Sequence, residues 1–187
     1  MGTKCWGWGL KVKNSQGFTL IELVVTIAVL ALLLGLGVPS LSNLIQSNRV
    51  TGHANGMVSA LHFVRSEAVN RSETVRFCPV NDSHDGCSEG ENWAAGWVAL
   101  VQSGADAGQV LRVWQSPPAT LELIHATSGA LDDGFIDLLP LGNVATGSGD
   151  FNYRWTYRPN GCDSGRPFQR RVEINRSGRA QVLQESC

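Results

Sequence analysis

After Lys13 the chain contains no lysine. All later positive charge therefore rests on arginine, and the Gly-Lys-Ser/Thr ending of a phosphate-cradling loop is missing. No two cysteines have the C-x-x-C spacing of zinc or thioredoxin-like sites. His-Glu-x-x-His is also missing, and His53, His62, His84 and His125 show no ligand spacing. These absences argue against catalysis. The chain is read as non-enzymatic, with no cofactor and no metal site.

Charge is nearly missing from one long stretch, Gly17 to Val38, where Glu22 is the single ionisable group. At about 1.5 Å of rise per residue, a helix of this length matches a hydrocarbon core of ~30 Å. A lone carboxylate at that depth is costly, so a partner is expected for it. Lys4, Lys11 and Lys13 form a basic leader, and Ser15-Gln16-Gly17 is a small, polar junction. Cleavage after Gly17 would leave Phe18 with a free ammonium four positions before Glu22, on the same helical face. A carboxylate in the first turn also suits the positive end of the helix dipole.

The order of basic leader, Gly17, Phe18, Thr19-Leu20-Ile21-Glu22, apolar run and Pro39 resembles the class III signal of type IV pilins and type II secretion pseudopilins. The resemblance implies that a membrane prepilin peptidase cuts between Gly17 and Phe18 and N-methylates Phe18. It also implies that Glu22 pairs with the N-terminal amine of a neighbouring subunit as the helix leaves the membrane for a filament. Two plainer readings stand beside it. One is an ordinary secretory signal with Gly35-Leu36-Gly37 as the cut site; the other is a simple membrane anchor. Neither has a use for Glu22.

Beyond the leader, charge is uneven. Residues 50–150 hold 4 Arg against 12 acidic residues, whereas residues 151–187 hold 7 Arg against 3. An acidic body with a basic C-terminal part is expected. Cys5 leaves with the leader, so Cys78, Cys87, Cys162 and Cys187 remain. An even number in an exported domain points to two disulfides. Three connectivities are open, with spacing favouring Cys78–Cys87 and Cys162–Cys187.

Leu41, Leu44, Ile45, Met57, Leu61, Val64 and Ala68 recur at helical spacing. One helix is predicted from Phe18 to about Arg71, weakened at Gly35, Gly37 and Pro39, its second half packing on a sheet. Short β-prone runs follow: Glu73–Val80, Trp93–Gln102, Gln109–Gln115, Thr120–Ala126, Phe135–Leu139, Asn152–Arg158, and a hairpin of Arg171–Asn175 with Arg179–Leu183. The class is α+β, a long N-terminal helix on an antiparallel sheet. The segments are 1–17 leader, 18–38 membrane or filament-core helix, 39–71 amphipathic helix, and 72–187 β-rich periplasmic domain.

A narrower resemblance links Phe63–Val69, Trp93-Ala94-Ala95-Gly96-Trp97, Arg158-Pro159-Asn160-Gly161 and Ser177-Gly178-Arg179 to H-type pseudopilins and FimT/FimU-like minor pilins. It implies the type IV pilin-like fold, with Arg65 and Glu67 tying helix to sheet. Trp93 and Trp97 are expected on one face of a strand, inside the core. Arg170, Arg171, Arg176 and Arg179 lie near Tyr153, Trp155, Tyr157 and Phe168, a mixture suited to phosphate contacts and base stacking. Some FimT-like relatives linked to DNA uptake carry Gly-Arg-x-Arg, but this chain reads Gly178-Arg179-Ala180-Gln181. The alternative is that these arginines pair with the acidic body or an adjacent subunit. The loop Asn81–Glu91 fails as a calcium loop, because Gly86 at the sixth position puts Asn92 at the twelfth.

The expected protein is a minor pilin or pseudopilin that initiates or caps a pilus-like filament. Its partners are prepilin peptidase, other filament subunits and the inner membrane, which it crosses once with its C-terminal domain in the periplasm. DNA uptake and type II protein secretion are the alternative settings.

Overall fold

A computed structural model of the chain describes residues 17–90, 92–127, 134–145, 153–162 and 169–187. The side chains of residues 36–40 and Thr127, the basic leader, Arg166 and Phe168 lie outside the described residues.

The helix α1 spans Leu20–Arg71 and runs through Gly35, Gly37 and Pro39 without a break. Its start is set by Thr19, whose Oγ1 accepts the Glu22 N–H at 3.3 Å and whose carbonyl accepts the Leu23 N–H at 3.2 Å. Thr19-x-x-Glu22 thus has the spacing of a capping box. Contacts divide the chain into two units, Met1–Ser42 and Asn43–Cys187.

In the second unit α1 buries Val50, Ala54, Met57, Leu61, Val64 and Ala68 completely or almost so. Steps of three and four put these residues on one stripe. Leu41, Leu44 and Ile45, expected in that stripe, are instead exposed. Packing begins only at Val50 because the opposing strands start and end near that level, at Leu121 and Pro159.

Eight strands follow among the described residues: β1 (Val75–Pro79), β2 (Gly96–Val101), β3 (Val110–Gln115), β4 (Leu121–Thr127), β5 (Ile136–Leu138), β6 (Tyr153–Pro159), β7 (Gln169–Ile174) and β8 (Ala180–Glu185). They form two antiparallel four-stranded sheets rather than one, ordered β3-β2-β1-β5 and β4-β6-β7-β8. Alternation explains the packing: Tyr153, Trp155 and Tyr157 of β6 are buried, while Arg154, Thr156 and Arg158 face the other way. Trp155 meets Trp93 edge-on at 5.1 Å, and Phe77 meets Trp114 edge-on at 5.8 Å, a geometry that suits the ring quadrupoles.

Trp93 departs from expectation. It lies in a 3-10 turn, Trp93–Ala95, so it and Trp97 are both buried but do not share a strand. The cause is Gly96, at φ +111°, where a Cβ would stand 2.6 Å from the Trp114 carbonyl oxygen. The backbones approach too closely there for any other residue.

Cys78 is bonded to Cys87 and Cys162 to Cys187, with Cα separations of 5.6 and 5.7 Å. The first bond joins Val80 and Val98 in a small cluster on the outer face of the first sheet. Closing loops of 9 and 25 residues stabilises the fold by about 3 kcal/mol each in the chain-entropy account.

Candidate assembly surface

Gly17 and Phe18 are exposed, and so is every described side chain of α1 from Leu20 to Gly35. The residues are apolar on all faces, with Leu20 81 % and Leu32 70 % accessible. Glu22 has a capped backbone and makes no ion pair among the described residues. Among the described residues no helix is long and apolar enough to cross a membrane. The described apolar run, residues 20–35, falls short of the ~20 positions that a span needs.

The C-terminal arginines are arranged by strand register. On the outer face of the second sheet, Arg158 donates to both Glu122 carboxylate oxygens, at 2.8 and 2.9 Å. That hydrogen bonding lowers the Glu122 pKa against the opposing effect of desolvation. Arg154 and Arg171 share Glu173, at 2.9 and 3.0 Å, and Arg171 also reaches Glu185 at 2.7 Å. Arg170 falls on the opposite face of β7, the side of Val172, in register with Tyr157. Arg176 and Arg179 lie in the exposed β7–β8 turn. The four candidate DNA contacts thus occupy three places, and Arg171 is already matched by two carboxylates.

Two of the sequence motifs do converge. Gly178 in the β7–β8 turn and Gly142 after β5 both have positive φ, +73° and +76°. A Cβ on Gly178 would overlap the Gly142 carbonyl, and one on Gly142 would lie 2.9 Å from Arg65 Nε and 3.1 Å from Val69 Cγ2. The Val144 N–H donates to the Arg176 carbonyl at 3.0 Å. Asn175 Oδ1 shapes the turn by accepting the Arg179 N–H at 3.0 Å and the Ser177 hydroxyl at 2.8 Å. Helix, first sheet and second sheet therefore meet at Arg65, Gly142 and Gly178. Glu67 binds Arg71 at 2.8 Å, and Arg71 reaches Gln109 at 3.2 Å and Asp106 at 3.5 Å beyond β2.

Other candidate chemistry does not assemble. Gly86-Cys87-Ser88-Glu89-Gly90 spells the Gly-x-Ser-x-Gly string of a nucleophile elbow. It straddles the Cys87 end of the disulfide-closed loop, does not directly follow β1, and precedes only the 3-10 turn Trp93–Ala95, so among the described residues the strained strand-to-helix turn of that motif is not formed. Ser88 Oγ only accepts the Gly90 N–H at 3.3 Å. His53 stacks on Tyr157 at 6.5 Å, and partial burial lowers its pKa. Burial likewise raises the pKa of the Tyr157 phenol. Among the described residues no group of His, Cys, Asp and Glu could hold a metal ion.

Comparison with known proteins agrees with this architecture. Residues 53–178 match the family described as type II transport protein GspH, and residues 12–38 match the prokaryotic N-terminal methylation motif. The type IV minor pilin FimU of Pseudomonas aeruginosa is similar in structure, with a TM-score of 0.52 and 19% identity, covering 73% of this chain and 89% of that one. EpsH, a minor pseudopilin of the Vibrio cholerae type 2 secretion system, gives 0.51 and 13%, covering 73% and 97%. At such identities the likeness is one of fold. No curated protein matches the chain. Members of the matched family are structural subunits, anchored in a membrane and assembled into filaments. The chain belongs to the GspH family of minor pilins and pseudopilins and carries their N-terminal methylation motif.

Proposed function

We propose that the chain is a non-enzymatic subunit that initiates or caps a pilus-like filament. Prepilin peptidase cuts it between Gly17 and Phe18 and methylates Phe18. Residues 18–38 cross the inner membrane once, while residues 39–71 and 72–187 stand in the periplasm until assembly. Glu22 then pairs with the N-terminal ammonium of an adjacent subunit, so the two charges leave the bilayer together.

The observation that carries this reading is the apolar surface of the first unit. Twelve large apolar side chains between Phe18 and Leu34 are more than half exposed. At ~1.5 kcal/mol or more for each side chain buried, covering them yields roughly 20 kcal/mol. That exceeds the ~5–15 kcal/mol stability of an ordinary domain. Lipid, followed by the helices of a filament, supplies such a cover, and Glu22 is the one group in the run that needs a specific partner.

The test is Glu22→Ala in the full chain. Cleavage after Gly17, read by mass spectrometry, should be retained, while recovery in sheared filaments should fall at least ten-fold. Wild-type recovery would remove Glu22 from the mechanism. A type II secretion setting is favoured by the matched family's description; there, deletion should block export of secreted enzymes and leave surface pili intact. No observation favours DNA capture, because the arginines proposed for it are dispersed and Arg171 is neutralised.

A further inference from the structure

At one end of the second unit, Gln46 and Arg49 of α1 face Thr120, Leu121, Pro159 and Asn160 across a cleft of about 270 Å³. That volume is at the small end for a ligand pocket and has room for a single side chain. Its far wall is fixed. Asn160 Nδ2 donates to the Ala119 carbonyl at 2.7 Å, the Asn160 N–H to the Thr120 carbonyl at 3.2 Å, and the Leu121 N–H to the Pro118 carbonyl at 2.9 Å.

Among the described residues Arg49 is the only charged one in the lining. Arg71, Arg76, Arg154, Arg158 and Arg171 each bind a carboxylate, but Arg49 has no carboxylate partner among the described residues. Glu122, next to Leu121, does not supply one: it turns to the other face of β4 and is held by Arg158. Beside the cleft, Leu44 and Ile45 are 57 % and 44 % exposed.

We infer that this cleft receives an Asp or Glu side chain, flanked by an apolar residue, from an adjacent subunit of the filament. The inference rests on the filament reading given above. A guanidinium presents a planar pair of donors that matches a carboxylate, and the Gln46 amide can add a third. Ile45, one helical turn before Arg49, offers exposed apolar surface for the flanking residue. A single arginine balances one carboxylate, whereas a phosphate group carries close to two charges at neutral pH and would be left half matched.

The experiment places a photo-crosslinking amino acid at Thr120 of the full chain, in cells that assemble the filament. The cross-link should map to a filament subunit, within a segment containing Asp or Glu. Arg49→Glu should lower its yield about ten-fold or more, Arg49→Lys should lower it less, and reversing the partner's carboxylate to Arg should restore it in Arg49→Glu. Circular dichroism of Arg49→Glu checks that the fold is kept. A yield indifferent to Arg49→Glu, or a cross-linked segment without Asp or Glu, overturns the inference. The chain's recovery in filaments is scored separately. Presence without a cross-link overturns this inference alone; absence from filaments overturns the filament reading with it.

Discussion

Residues 20–34 and residues 50–68 belong to one helix, yet they meet their surroundings in opposite ways. The first stretch is apolar on every face and exposed throughout. The second confines its buried apolar residues to a stripe that is sealed against two sheets, and sets Ser59, His62 and Ser66 on the remaining faces. Backbone hydrogen bonding and propensity make both helical, but the distribution of side chains selects the medium. A stripe suits a protein core beside water, and a fully apolar girth suits lipid or other helices.

The strongest challenge to this contrast is a pair of truncations. Trp155→Ala, in the core of residues 43–187, should cost roughly 3–5 kcal/mol in chemical denaturation followed by tryptophan fluorescence. Leu30→Ala, in detergent, should leave the same transition unmoved. An equal loss from both would mean that the first stretch also folds the domain.

Next in size are the glycines. Gly178→Ala should destabilise by about 2–3 kcal/mol, because positive φ and the Gly142 carbonyl both oppose a side chain. Gly56→Ala, on the packed half of α1 with open space around its Cβ position, should stabilise by ~0.5–1 kcal/mol. Thermal unfolding of the two variants should therefore shift in opposite directions.

The smallest effect concerns pH. Burial holds the His53 pKa below its ordinary value, so the unfolded chain binds that proton more readily than the folded one. Stability should decline as pH falls through the ordinary histidine range, and the full penalty applies below the folded pKa. His53→Gln should flatten that part of the profile, and an unchanged slope would assign it to other groups.

Local chemistry made most of the fold legible. Turn-rich segments bounded the eight described strands, and four- and three-residue spacing marked Met57, Leu61, Val64 and Ala68 as core. The helix was expected from Phe18 and begins at Leu20, after the Thr19 cap. Features that depend on distant partners were not legible. Trp93-x-x-Gly96-Trp97 reads as a continuous strand until the Trp114 backbone is seen against Gly96. The burial of Leu44 and Ile45 was overstated because helical spacing does not report where the opposing strands end. The basic C-terminal patch was read from charge counts, whereas cross-strand register couples Arg154, Arg158 and Arg171 to Glu173, Glu122 and Glu185. Arg65, Gly142 and Gly178 meet from three separate segments, a convergence that no local pattern encodes.

The bond between Cys162 and Cys187 has a mechanical consequence. Tension applied at Cys187 passes through the sulfurs to residue 162, just beyond β6, and bypasses β7 and β8. The hairpin therefore hangs as an unloaded ring while the force runs along the rest of the chain. Reduction would bring the 25-residue ring into the line of pull and release about 85 Å of hidden contour length.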